Sequence, residues 1–177
     1  MDLFQPIDNP NLLPYDGEVV YHSRILDVAQ CQKFFQALQD EIDWKQDEVT
    51  MFGKKHITAR KVGWYGEKPF TYTYSNSQKV AQPWTPALIT LKQLVEKQSQ
   101  ESFNSCLLNL YHTGNEGMGW HSDDEKELLP EGAIASVSLG VTRKFVFKHK
   151  QSKEKVSLML ENGSLLIMKG TTQKHWL

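Results

Sequence analysis

Beyond about residue 100 the apolar residues of this chain stop recurring at helical spacing and alternate in short runs instead. That switch constrains the fold more than any single motif, because a period of 3.6 and a period of 2 cannot serve the same element. Before it, two helices are legible. Asp27 can cap the first, whose apolar positions are Val28, Cys31, Phe34, Phe35, Leu38 and Ile42. Thr85 and Pro86 open the second, followed by Leu88, Leu91, Leu94 and Val95. After it, residues 103–111 alternate, residues 134–140 are β-prone, and Phe145 and Phe147 share one face of a short run. Residues 156–160 and 164–168 flank Asn162 and Gly163, which predicts a type I′ hairpin. Helices followed by a meander of strands predict an α+β fold with a β-sandwich or jelly-roll core.

A chain of 177 residues is long enough for one domain with a substantial core. Its 40% hydrophobic and 23% charged content is that of an ordinary globular protein, and no run approaches the roughly 20 apolar residues of a membrane span. The first residues lack the basic and apolar regions of a signal peptide. Two cysteines, Cys31 and Cys106, give no disulfide framework, so a reducing, intracellular compartment is expected, cytoplasmic in a bacterium and nuclear in a eukaryote. Charge is unevenly spread. Arg143, Lys144, Lys148, Lys150, Lys153 and Lys155 form a basic stretch, and Glu116, Asp123, Asp124, Glu125, Glu127 and Glu131 an acidic one. A basic stripe suits a polyanion and an acidic cluster suits a cation; either also serves as a solvated face.

Between the helices, Met51, Phe52, Gly53, Lys54 and Lys55 read as a hairpin tip, and residues 71–75 as a strand with Tyr72 and Tyr74 on one face. An ordinary hairpin capped by a core Phe explains the first. An apolar wedge on a basic finger, of the kind that parts bases, explains it equally.

The chemistry concentrates between Asn109 and Glu125. His121 and Asp123, two apart on an extended backbone, point the same way and can grip one metal ion, and such a pair is part of the 2-His-1-carboxylate face of non-haem Fe(II) sites. Asn109 and Tyr111 share a strand face and can hydrogen-bond an anionic oxygen ligand. Gly114, Gly117 and Gly119 make the intervening segment a loop. No His-Glu-x-x-His helix, paired Cys-x-x-Cys or Gly-x-Ser-x-Gly elbow supports a zinc hydrolase or a nucleophilic triad. Asp124 and Glu125 are either solvated bystanders or acceptors for an exocyclic amine of a nucleobase.

These residues, with Phe52-Gly-Lys54, Arg60-Lys61, Trp64-Tyr-Gly66, Thr71-Tyr-Thr-Tyr-Ser75, Ala135-Ser-Val-Ser-Leu-Gly140, Arg143-Lys-Phe145 and Gly163-Ser-Leu-Leu-Ile-Met168, occur in an order that resembles the AlkB family of Fe(II)- and 2-oxoglutarate-dependent nucleic-acid dealkylases. The resemblance is strongest to the branch that repairs alkylated DNA, and it covers residues 44–177. It implies a double-stranded β-helix (jelly roll) core over about residues 103–177, with flanking N-terminal helices and nucleotide-recognition hairpins over about residues 45–80, all in one domain. It implies that His121 and Asp123 ligate iron and that Asn109 and Tyr111 bind 2-oxoglutarate. Phe52, Gly53 and Lys54 would form the finger that replaces a flipped base. Tyr72 and Tyr74 would line the base pocket with Thr73 between them; Arg60 and Ser75 would lie near the lesion strand, and Asp124 and Glu125 would meet the damaged base. A methyl group on a base-pairing nitrogen is hidden inside a duplex, so its base must be extruded before reaction.

The implied reaction couples conversion of 2-oxoglutarate and O2 to succinate and CO2 with hydroxylation of an N-methyl carbon. The product collapses to formaldehyde and the repaired base, with 1-methyladenine and 3-methylcytosine as expected substrates. The implied partner is alkylated DNA, with RNA the second candidate, acted on by a monomer without a membrane. One departure stands out. The relatives carry a second metal His after a Thr-x-x-x-Trp-x segment, which here is Thr172 to Leu177, and later arginines that hold 2-oxoglutarate. The resemblance therefore implies a jelly roll whose C-terminal strands are missing, with an inactive nucleic-acid-binding module as the alternative. His175 lies three positions before the expected ligand, an offset that would project it differently from an extended strand.

Overall fold

The computed structural model describes residues 10–51, 54–74, 77–123, 125 and 127–177. Strand β1 (Glu18–His22) precedes helix α1 (Val28–Glu41), which leads into β2 (Lys45–Met51) and β3 (Lys54–Gly66). Strands β4 (Thr71–Tyr74), β5 (Ser77–Val80) and β6 (Gln82–Pro83) come before α2 (Pro86–Ser99). The remainder is β7 (Ser105–Leu110), β8 (Ile134–Ser138), β9 (Arg143–Lys148), β10 (Lys155–Leu160), β11 (Ser164–Lys169) and the short α3 (Thr172–His175). The chain divides into two compact units, residues 1–32 with 120–177, and residues 33–119, with α1 running across the division.

Both long helices begin where the sequence predicts. Asp27 Oδ1 accepts from the Gln30 amide at 2.8 Å while Gln30 Oε1 accepts from the Asp27 amide at 2.9 Å, a reciprocal cap that satisfies two otherwise orphaned donors. Thr85, extended at φ −82° and ψ 161°, accepts from the Leu88 amide, and Pro86 fills the first helical position, where its missing N–H costs nothing.

In the first unit β11 lies between β1 and β8, antiparallel to both. It is buried from Ser164 to Met168, which its continuous apolar run requires of a central strand. Strands β9 and β10 pair with each other, Phe147 opposite Val156 and Phe145 opposite Leu158. Their alternation turns Phe145, Phe147, Val156, Leu158 and Leu160 toward Val19, Leu166, Met168 and Trp176. The Phe145 and Phe147 rings meet edge to face with centroids 5.0 Å apart. Two sheets sharing one apolar interior make the sandwich that the alternating runs predict.

Two local expectations are corrected here. Asn162 and Gly163 do not make a hairpin: β10 pairs with β9 and β11 with β1 and β8, so the turn carries the chain from one sheet to the other. Gly163 is nonetheless required. Its φ is +78°, and a Cβ there would stand 2.6 Å from Cys31 Sγ and 2.8 Å from the Leu26 carbonyl oxygen. The Asn162 side chain accepts from the Gly140 amide at 2.9 Å and fastens the corner. Secondly, residues 172–175 form a helical turn rather than an extended strand. Thr172 Oγ1 donates to and accepts from the Glu18 backbone, and this ties the turn to β1.

In the second unit β3 is the organising strand, antiparallel to β2 and β7 and parallel to β6. The pairing of Gly63 with Leu108 and of Tyr65 with Cys106 sets one face of the β3–β7 ladder. That face packs Tyr65 and Leu108 against Ile42 and Leu88. Arg60, Val62 and Asn109 belong to the opposite face by the same register. Strands β2 and β3 pair up to Met51 opposite Lys54, and the residues joining them, Phe52 and Gly53, lie outside the described residues. Strand β4 pairs with β5 up to Tyr74 opposite Ser77; Ser75 also lies outside the described residues.

Candidate active site

His121 and Asp123 are brought together although the segment that carries them is not part of a strand. Nε2 of His121 lies 3.7 Å from Oδ1 of Asp123, and both side chains are substantially exposed. Two ligand bonds of about 2.1 Å span at most about 4.2 Å, so one ion can reach both atoms. The segment is held at two points. The Asp123 amide donates to Gln173 Oε1 at 2.9 Å, and Gln173 in turn donates to Met168 Sδ. One residue before His121, the Trp120 ring takes the Lys148 and Lys155 ammonium groups at 5.2 and 5.8 Å from its centroid. Gln173 is a site residue that sequence reasoning missed. Its only signal in the sequence is its place in the Thr172–Leu177 segment. Glu125 is part-buried nearby in sequence, and Asp124 lies outside the described residues.

In the second unit Asn109 and Arg60 meet. Arg60 is 6% exposed, and its Nη1 donates to Asn109 Oδ1 at 3.1 Å. Arg60 also lines a cavity of about 270 Å³ with Thr58, Ala59, Asn115, Glu116 and Gly117. Glu116 folds the following loop back on itself by accepting from both the amide and Nδ1 of His112. Tyr111 follows the end of β7 and is part-buried. Lys54 opens β3, and Tyr72, Thr73 and Tyr74 lie on β4, with Thr73 opposite Gln78. Desolvation pushes the Cys106 thiol up to about 12, and burial also raises Cys31, so neither is poised as a nucleophile.

A second group with metal-binding residue types is Asp16, His149 and His175, whose ligand atoms all lie within 4.8 Å of one another. His175 is therefore placed with this group. The protons argue against a metal there. His149 Nδ1 accepts from the Ser152 amide at 3.0 Å, a bond in which the backbone is always the donor. The ring proton then sits on Nε2, which faces Asp16 Oδ2 at 3.3 Å, and a protonated nitrogen has no lone pair for a metal. With Tyr15 and Trp176 packed edge-on and tilted around it, the group is a clasp between residues 15–16 and the C-terminal segment.

Comparison with known proteins fits this arrangement. The sequence profile of the 2OG-Fe(II) oxygenase superfamily matches residues 18–176. Human "DNA oxidative demethylase ALKBH2" is 39% identical over 159 residues, which cover 84% of this chain and 61% of that protein. The mouse protein of the same name is 38% identical, over 84% of this chain and 66% of that one. Human "Alpha-ketoglutarate-dependent dioxygenase alkB homolog 3" is 36% identical over 90% of this chain and 59% of that protein. The chain thus spans less than two thirds of the length of these curated relatives. Among solved structures, OsALKBH1 superposes with a TM-score of 0.65 at 17% identity, over 89% of this chain and 82% of that one, a likeness of fold.

Proposed function

Because the chain belongs to the 2OG-Fe(II) oxygenase superfamily and is AlkB-like within it, we propose that the protein removes N-methyl groups from DNA bases by oxidation. The expected substrates are 1-methyladenine and 3-methylcytosine. The carrying observation is the His121–Asp123 pair, 3.7 Å apart on an exposed segment. An imidazole and a carboxylate are two of the three ligands of a 2-His-1-carboxylate face, so the residues present fit that part of the Fe(II) site the superfamily uses. Fe(II), 2-oxoglutarate and O2 supply the oxidising chemistry when bound. The chain's own work is binding and placement. His121 and Asp123 hold the metal, Gln173 fixes the backbone of Asp123, and Asn109 and Tyr111 offer an amide and a phenol to the anionic co-substrate.

On the substrate side, the cationic lesions carry an exocyclic donor, which suits Asp124 and Glu125. The β2–β3 hairpin would present Phe52, Gly53 and Lys54 to the duplex, with Arg60, Tyr72, Thr73, Tyr74 and Ser75 about the extruded base and its strand. Support comes from the names of the relatives, two of which are DNA demethylases. A family match that crosses both compact units supports reading them as one dioxygenase domain. Two free cysteines fit an intracellular setting.

The test is formaldehyde and succinate release by the full-length protein on an oligonucleotide carrying 1-methyladenine. Stoichiometric release of both, with neither formed on the unmodified oligonucleotide, is expected. Tight binding of the oligonucleotide without turnover would make the protein a binding module instead.

A further inference from the structure

The orientation of the Asn109 amide is imposed by a neighbour. Val62 on β3 stands opposite Asn109 on β7. Arg60, two residues before Val62, is therefore on the same face and diagonal to Asn109, a separation of about 7–8 Å that a long side chain can bridge. It does so: Nη1 donates to Oδ1 at 3.1 Å, and the arginine is 6% exposed. A guanidinium has donors and no acceptor, so it tolerates only the oxygen of the amide. A flipped Asn109 would set N–H against N–H. With the oxygen engaged, the amide nitrogen is turned away from Arg60 and presented as a donor.

We propose that Arg60 is a positioning residue for co-substrate binding: it locks the Asn109 amide so that Nδ2 donates to an anionic oxygen of 2-oxoglutarate. This rests on the reading of Asn109 as a co-substrate residue. It gives Arg60 a task separate from the lesion strand and explains why a cation is buried on this face. A hydrogen bond from a charged donor is the strong kind, and an amide free to rotate would present its oxygen to the carboxylate part of the time.

The experiment is calorimetric titration of 2-oxoglutarate into the Mn(II)-loaded full-length protein, without turnover. Arg60→Met and Asn109→Ala should each weaken 2-oxoglutarate about tenfold or more, and the double variant should be no weaker than Asn109→Ala. Mn(II) affinity in the absence of 2-oxoglutarate should be unchanged in Arg60→Met. Arg60→Lys, which keeps one donor, should recover part of the loss. It carries the comparison should Arg60→Met fail to fold by circular dichroism. Unchanged 2-oxoglutarate affinity in the Arg60 variants alongside a loss in Asn109→Ala would overturn the positioning role alone. Unchanged affinity in Asn109→Ala would remove the co-substrate reading of that residue, and this proposal with it.

Discussion

Two histidine–carboxylate groups lie in the same compact unit and differ in what decides whether a metal can occupy them. Around His121 and Asp123 the ligand atoms are 3.7 Å apart and both side chains are open to solvent. Around His149 and Asp16 they are closer, 3.3 Å, but the imidazole is 4% exposed and its Nδ1 is committed to a backbone donor. Proximity alone would favour the His149–Asp16 pair. The proton inventory reverses that ranking, because a ring that must accept at one nitrogen keeps its hydrogen on the other. The lesson is that metal-binding residue types gathered in space can serve a clasp as well as a metal.

His121→Ala or Asp123→Ala in the full-length protein should abolish succinate formation while leaving the melting temperature close to that of the wild type, because both residues are exposed. Turnover near the wild-type level in either variant would remove the oxygenase reading. On the other side, His149→Leu should leave metal binding intact and lower stability. It removes the acceptor of the Ser152 amide, a bond worth about 0.5–1.5 kcal/mol, or a melting temperature roughly 1–6 °C lower for a chain of this size. A drop in metal stoichiometry without a drop in stability would mean that the clasp is a site after all. The smallest effect is expected at Gln173. Gln173→Leu removes the acceptor for the Asp123 amide and should weaken metal binding by about tenfold, in line with other groups that hold a ligand in place. No change would reduce Gln173 to a packing residue.

Much of this was legible in the sequence, and what was not has a physical cause. The caps at Asp27 and Thr85 were readable because a cap is a local bargain between residues three apart. The Asn162-Gly163 turn was legible and the strand pairing around it was not. The residues dictate a positive φ, but which strand β11 joins depends on β1, more than a hundred residues away. The unbroken apolar run of β11 was the available clue, since a strand buried on both faces needs neighbours on both edges. His121 and Asp123 were found from spacing that presumes an extended backbone. The structure reaches the same proximity in an irregular segment pinned by Gln173 and Trp120. The Arg60–Asn109 bond depends on the register between β3 and β7, which no local pattern encodes.

The most direct measurement is a metal titration with Mn(II) on the full-length protein, run in parallel on the wild type, Asp123→Ala and Asp16→Asn. The account predicts one site per chain in the wild type, its loss in Asp123→Ala and its full retention in Asp16→Asn. Retention in Asp123→Ala together with loss in Asp16→Asn would contradict it, and would move the metal to His149 and His175.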